Sequence, residues 1–140
     1  LLGGAGAAEA EVAATIERLG LTWRVVRPGR VSDADRDGLL ALAEALVFPS
    51  EYEGFGAPVL EAMALGVPVV CSDQPALAEV VGDAGLVLPR EFDAWAGALD
   101  EVARRRAELC AAGRRRAADF TTATSGAALL DAYRHAVDRR

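Results

Sequence analysis

Short, wholly apolar runs alternate along this chain with longer stretches in which apolar residues recur every three or four positions, the signatures of buried parallel strands and of helices packed on them. In residues 7–19, Val12, Ile16 and Leu19 recur at helical spacing and Gly20 follows as a stop, which predicts a helix. Residues 23–26 read as a strand closed by Pro28 and Gly29. Ser32 followed by Asp35 resembles a capping box with Asp in place of Glu, opening a helix to about Glu44. Strands are predicted at 45–48, where no polar residue interrupts and full burial is expected, at 67–71 and at 86–88, with a short helix over 76–81. Helices over 92–107 and about 109–119 follow, and Thr122 or Thr124 is expected to cap a last one over 122–140. Strands alternating with helices predict an α/β class with a Rossmann-like parallel sheet.

The stretch that carries most chemistry is 49–61, Pro-Ser-Glu-Tyr-Glu-Gly-Phe-Gly-Ala-Pro-Val-Leu-Glu, which joins a predicted strand to a predicted helix. Pro49 ends the strand, Gly54 and Gly56 permit positive φ and close approach of backbone to a ligand, and Pro58 suits the first position of a helix running to about Leu65. Unpaired N–H groups from about Ala57, Val59 and Leu60, with the positive end of the helix dipole, favour an anion such as a phosphate. Glu53 and Glu61 stand eight positions apart, one in the loop and one roughly in the first helical turn. Carboxylates would repel an anion they touched, so neutral donors beside it are their natural partners. Sugar hydroxyls fit, because a carboxylate accepting two of them makes charge-assisted bonds. An anion flanked by two polyols describes a nucleotide sugar. The spacing is met equally by a plainer arrangement, in which Glu61 complements the helix dipole and Glu53 is a solvated loop residue.

Residues 49–61 resemble the Glu-x7-Glu signature of retaining glycosyltransferases of family 4, the glycosyl transferases group 1, which have the two-domain GT-B architecture. The resemblance continues on both sides, through Gly29-Arg30-Val31-Ser32-Asp33-Ala34-Asp35, Glu61-Ala62-Met63-Ala64-Leu65-Gly66-Val67-Pro68-Val69-Val70 and Pro75-Ala76-Leu77-Ala78-Glu79-Val80-Val81-Gly82-Asp83-Ala84-Gly85. It implies that residues 1–140 are an incomplete C-terminal nucleotide-sugar-binding domain, since an enzyme of this plan has more than twice this length and 140 residues fit one domain. In a strand order of 3-2-1-4-5-6, the first, central strand and its helix, with the basic residues that grip the donor pyrophosphate, would lie upstream of Leu1. Leu1 to Gly4 would be the tail of the second strand. A chain without its central strand should be marginally stable, melting below about 50 °C.

The function implied is transfer of a sugar from a nucleotide-diphosphate sugar to a hydroxyl acceptor with retention of configuration, with no cofactor and no obligatory metal. By resemblance, Glu53 contacts the donor sugar hydroxyls and supports the reacting centre, and Glu61 holds the ribose diol. Gly54, Phe55, Gly56 and Ala57 supply backbone amides to sugar and pyrophosphate, and Arg30 and Val31 stand where the base-contacting loop begins. The acceptor, a sugar, lipid or small molecule, would be bound by the N-terminal domain, which leaves the 140-residue chain inactive alone. Two other readings stay open: a nucleotide-sugar epimerase or phosphorylase on the GT-B plan, and a non-catalytic domain that binds nucleotide sugar or pairs with another chain.

Charge sharpens this picture. Residues 31–100 hold 13 acids against two arginines, while the ends are basic and the whole chain is −6. An acidic middle argues against binding a nucleic-acid backbone, which needs clustered cations. It also opposes an anionic donor, a tension eased by the helix terminus, Arg30 and the upstream cations. Arg104 to Arg106 and Arg114 to Arg116 read as solvated helix faces; the alternative is attraction to an anionic membrane, at about 1 kcal/mol per basic residue. No apolar run of about 20 residues is present to span a bilayer. Two cysteines, Cys71 and Cys110, suit a reduced, cytoplasmic protein, and with the single His135 they suggest no metal site. Gly3-Gly4-Ala5-Gly6 lacks the third glycine of a dinucleotide fingerprint, and the chain has no lysine for a phosphate loop. The apolar face of the last helix, with Leu129, Leu130 and Tyr133, would in this family meet the other domain.

Overall fold

In the computed structural model, which describes every residue except Gly3, Ala5 and Arg140, the chain falls into two units, Leu1–Leu39 and Leu40–Arg140. In the first, α1 (Glu9–Arg18) occupies the middle of the helix expected over 7–19 and buries none of its residues. The strand expected over 23–26 does not form. Arg24 and Val25 both donate their N–H to the Leu21 carbonyl, at 2.9 and 3.0 Å, and turn the chain. Trp23 and Val26 are left 79% and 75% exposed. Apolar content alone did not make a strand here because a strand's N–H and C=O groups need a partner. Among the described residues of this unit the partner is a single parallel bridge, Leu2 to Gly29, beside a bond from the Leu1 nitrogen to the Val26 carbonyl at 2.8 Å. Leu2 thus sits as the tail of a strand would, while Gly3 of that predicted tail lies outside the described residues. The next helix, α2 (Asp33–Ala41), starts at the predicted cap and ends three residues before Glu44. Its cap differs in detail. The Ser32 hydroxyl accepts from the Asp35 N–H at 3.1 Å and donates to the Asp35 carboxylate at 2.6 Å.

The second unit carries β1 (Leu46–Phe48), α3 (Ala57–Leu65), β2 (Val69–Ser72), α4 (Pro75–Val81), β3 (Leu86–Leu88), α5 (Phe92–Trp95), α6 (Ala98–Ala117) and α7 (Thr122–Asp138). The three strands form one parallel sheet in the order β1-β2-β3. Leu46, Val47 and Phe48 pair with Val69, Val70 and Cys71, and Val70, Cys71 and Ser72 pair with Leu86, Val87 and Leu88. Central β2 is fully buried along its length, which is why its sequence is an unbroken apolar run before Ser72. The full burial expected of β1 is corrected: it is an edge strand of this sheet, and Val47 is 46% exposed.

Alternate residues of β2 face two cores. Val69 and Cys71 pack with Val59, Ala62 and Met63 of α3 and with Leu77, Val80 and Val81 of α4. Val70 packs with Ala98, Val102 and Leu109 of α6. Met63, Leu77 and Leu109 are among the largest fully buried side chains, and burying each contributes about 1.5–3 kcal/mol.

The helices predicted over 92–107 and 109–119 are redistributed. The break falls at Gly97, the N-cap of α6, and Trp95 is held by its indole N–H on the Pro89 carbonyl at 2.7 Å. No break occurs near residue 108, because Leu109 is buried and Glu108 pairs with Arg105 at 2.6 Å within the helix. Gly113 lies buried inside α6, where a β-carbon would meet Met63 of α3 at 3.4 Å, ordinary van der Waals contact. Thr121, rather than Thr122 or Thr124, caps α7. Its hydroxyl accepts from the Thr124 N–H at 3.0 Å, and the Thr124 hydroxyl accepts from the Thr121 N–H at 2.9 Å.

The arginine clusters of α6 are more than solvated faces. Arg104 and Arg105 are neutralised along the helix by Glu101 and Glu108. Hydrogen bonds from Arg104 to Glu101 and from Arg105 to Glu108 hold both carboxyls below their ordinary range. Arg106 reaches Glu44, by carboxylate and carbonyl. Arg114 donates to the Leu65 carbonyl at 3.3 Å, and Arg116 donates to the carbonyls of Glu79 and Val80 at 2.6 and 3.0 Å. These two cap the carboxyl ends of α3 and α4, where a cation also complements the helix dipole. No helix is long and apolar enough to cross a membrane, among the described residues.

Candidate functional site

Six of the eight sequence-predicted site residues lie on the β1–α3 segment, at the carboxyl end of a parallel strand, where open α/β sheets bind ligands. Glu53 is half-buried in the loop, followed by exposed Gly54 and Phe55, buried Gly56 and exposed Ala57. Glu61 is half-buried on α3, at its fifth residue and therefore just past the first turn expected for it. Arg30, exposed, and Val31, half-buried, belong to the other unit.

Backbone conformation at the two glycines differs from expectation. Gly56 has φ 86° and caps α3, whereas Gly54 is not in the positive-φ region and has open space around it. Gly56 also has a close-approach reason to be glycine, since a β-carbon there would collide with Leu77 of α4. The helix starts at Ala57, one residue before Pro58. Its N–H inventory is smaller than predicted. Val59 and Leu60 both donate to the Gly56 carbonyl, at 3.0 and 3.4 Å, so the first turn closes on itself. No side chain caps this end, and two of the three expected donors are taken within the turn.

Loop 49–56 has no regular secondary structure beyond bends, yet its carbonyls are tied down by side chains. The buried Ser72 hydroxyl, at the end of β2, donates to the Ser50 carbonyl, and the Ser50 hydroxyl donates to the Tyr52 carbonyl at 3.1 Å. Gln74 Nε2 donates to the Glu53 carbonyl at 3.3 Å. The Phe55 ring meets Phe120 edge-on, with centroids 5.9 Å apart, and the Arg116 guanidinium lies 4.8 Å over the Phe120 ring. Arg90 pairs with Glu51 at 2.8 Å. Sequence reasoning missed Ser72, Gln74 and Phe120. Gln74 carried a local signal, a side-chain acceptor directly before a proline-started helix; Phe120 carried none, since its partner is 65 positions away.

Thiol chemistry has no place near this loop. Cys71 is fully buried in β2, and burial pushes its thiol up to about 11. At pH 8 about one such thiol in a thousand is ionised, and the thiolate is the reactive form. A disulfide reagent at pH 8 should therefore titrate only the half-buried Cys110 in the native chain and both cysteines in denaturant. Two fast-reacting thiols in the native protein would contradict the burial of Cys71. His135 lies exposed on α7, bonded to the Asp131 carbonyl at 2.9 Å.

The model of the glycosyl transferases group 1 family matches residues 1–119. The chain is 39% identical over 132 residues to the MMP alpha-(1->4)-mannosyltransferase of Mycolicibacterium hassiacum, covering 89% of this chain and 32% of that protein. It is 60% identical over 67 residues to O-antigen chain mannosyltransferase B of Escherichia coli, covering 47% of this chain and 18% of that one. Among solved structures it superposes on sucrose-phosphate synthase from Thermosynechococcus elongatus with a TM-score of 0.82 and 27% identity, over 100% of this chain and 38% of that one. Anabaena HepE in complex with UDP and glucose follows, with a TM-score of 0.81 and 25% identity over 96% of this chain and 40% of that one. The chain thus spans at most about a third of the length of these two mannosyltransferases. A family match over most of its length, on the fold described and with the signature loop in place, makes this chain a member of the glycosyl transferases group 1 family.

Proposed function

We propose that this chain forms the donor-binding part of a retaining glycosyltransferase that moves a sugar from a nucleotide-diphosphate sugar to a hydroxyl acceptor. The observation that carries the reading is the pair Glu53 and Glu61, spaced eight apart, the first on a loop whose backbone is pinned by Ser72 and Gln74 and the second on the helix that follows. A pinned loop suits polyol recognition, because a sugar offers several donors in fixed geometry and a rigid backbone loses less entropy on binding them. Glu61 holds the ribose diol and Glu53 the hydroxyls of the sugar being transferred. The Ala57 N–H and the dipole of α3 face the diphosphate, which needs further cations because the α3 turn keeps Val59 and Leu60 to itself. A structure of one similar protein holds UDP and glucose, which supports a nucleotide-sugar donor. Residues 1–140 serve as part of a C-terminal donor domain, with the acceptor bound by a second domain, and the isolated chain is inactive. The reaction belongs to the cytoplasm, with peripheral contact at the inner face of the membrane where the acceptor is a lipid.

The test uses the full-length polypeptide that carries this sequence, incubated with UDP- and GDP-hexoses and a panel of hydroxyl acceptors while nucleoside diphosphate release and the anomeric configuration of the product are followed. Glu61→Ala should raise the donor KM by about 10- to 100-fold, the loss of two charge-assisted bonds, with a smaller change in kcat. Substitutions at Glu53 and Glu61 that alter only the acceptor KM would overturn these roles.

A further inference from the structure

Gln74 stands where two demands meet. Its Oε1 accepts the N–H groups of Ala76 and Leu77 at 2.8 and 3.3 Å, capping α4, and its Nε2 donates to the Glu53 carbonyl at 3.3 Å. We propose that Gln74 is a positioning residue for Glu53: one carboxamide fixes the main chain of the loop glutamate against the first turn of α4. The inference rests on the glycosyltransferase reading of Glu53 and adds a residue outside the Glu-x7-Glu signature to it. The α4 frame is well suited to the task. Its Leu77 and Val81 are fully buried, Leu77 abuts Gly56 at the start of α3, and its far end is capped by Arg116. The Gln74 amide therefore transmits a fixed origin to a loop that has no ladder of its own. A carbonyl cannot be held by another carbonyl oxygen or by a carboxylate, so only the amide nitrogen serves Glu53, while any acceptor serves α4.

That asymmetry separates a positioning role from a structural one. Gln74→Glu keeps an acceptor at the N-cap, where negative charge is favoured, but sets a carboxylate against the Glu53 carbonyl. Gln74→Ser also keeps a cap and is too short to reach Glu53. Both variants of the full-length polypeptide should retain the wild-type melting temperature to within about 3 °C. Both should lose at least about fivefold in kcat, the loss of one net hydrogen bond amplified by misplacement of the glutamate, with the donor KM changed less than kcat. A kcat within less than about fivefold of wild type in either variant, or a loss of kcat matched by a loss of melting temperature, overturns the inference. Failure of the wild-type protein to transfer sugar from any nucleotide sugar would instead overturn the functional reading itself, and failure in the variants alone leaves that reading intact.

Discussion

Glu53→Ala in the full-length polypeptide is expected to lower kcat by about 100-fold, the scale on which removal of one preorganised electrostatic contact to a reacting centre reads out, while the donor KM rises only a few-fold. The expectation follows from position. Glu53 is half-buried in a loop whose carbonyls at 50, 52 and 53 are each held by a side-chain donor. On the proposed mechanism, a carboxylate carried on a main chain fixed in this way requires little backbone reorganisation when charge develops at the anomeric carbon, and such preorganisation lowers the barrier rather than the ground state. Glu61, on the helix beyond, is proposed to act on the part of the donor that does not change during transfer, so its loss should weaken binding and transition state alike. The two substitutions should therefore separate in steady-state kinetics, kcat for Glu53 and donor KM for Glu61. Equal effects of both on kcat would place Glu61 at the reacting centre too. A Glu53→Ala enzyme with wild-type kcat would return the loop glutamate to the solvated role that its spacing alone allows.

How much of this was legible in the chain depended on the range of the interaction that mattered. The second-unit strands were legible because burial on both faces leaves no polar position in β2 before Ser72, and β3 was predicted with its observed bounds. Residues 23–26, apolar apart from Arg24, form no strand, because composition reports burial tendency but says nothing of whether a neighbouring strand is present. Helix ends followed local chemistry where a cap was unambiguous, as at Ser32, and missed by a residue where several threonines competed. The α6 break was misplaced for a similar reason. Gly97 and Gly113 look alike in sequence, yet the first is the N-cap of α6 and the second is buried within it. Glu53 and Glu61 stood out by their spacing and took their roles from the resemblance, whereas the residues that hold the loop, Ser72 from β2, Gln74 from α4 and Phe120 after α6, are set by tertiary contact. The arginines of α6 illustrate the same limit, since a basic triplet reads as a solvated face until the carbonyl ends of α3 and α4 are placed beside it.

Gly56 joins the legible loop to the illegible frame, and substituting it is expected to have the largest effect on stability of any change within the signature. Gly56→Ala should destabilise the protein by about 2–5 kcal/mol, combining about 1–2 for a left-handed backbone with a β-carbon and about 1–3 for overpacking against Leu77. Urea unfolding should register this as a lower midpoint with an unchanged slope. The two causes can be told apart with Gly56→Asn, because asparagine tolerates positive φ but brings the same β-carbon towards Leu77. If close approach matters, Gly56→Asn loses nearly as much as Gly56→Ala; if it regains wild-type stability to within about 0.5 kcal/mol, conformation alone required the glycine. The first outcome carries a functional consequence. Leu77 lies three residues beyond Gln74 in the helix that anchors Glu53, so a side chain at Gly56 would press on α4 from the start of α3. The spacing between the two glutamates would then shift even in molecules that remain folded, and activity should fall further than the lost stability accounts for.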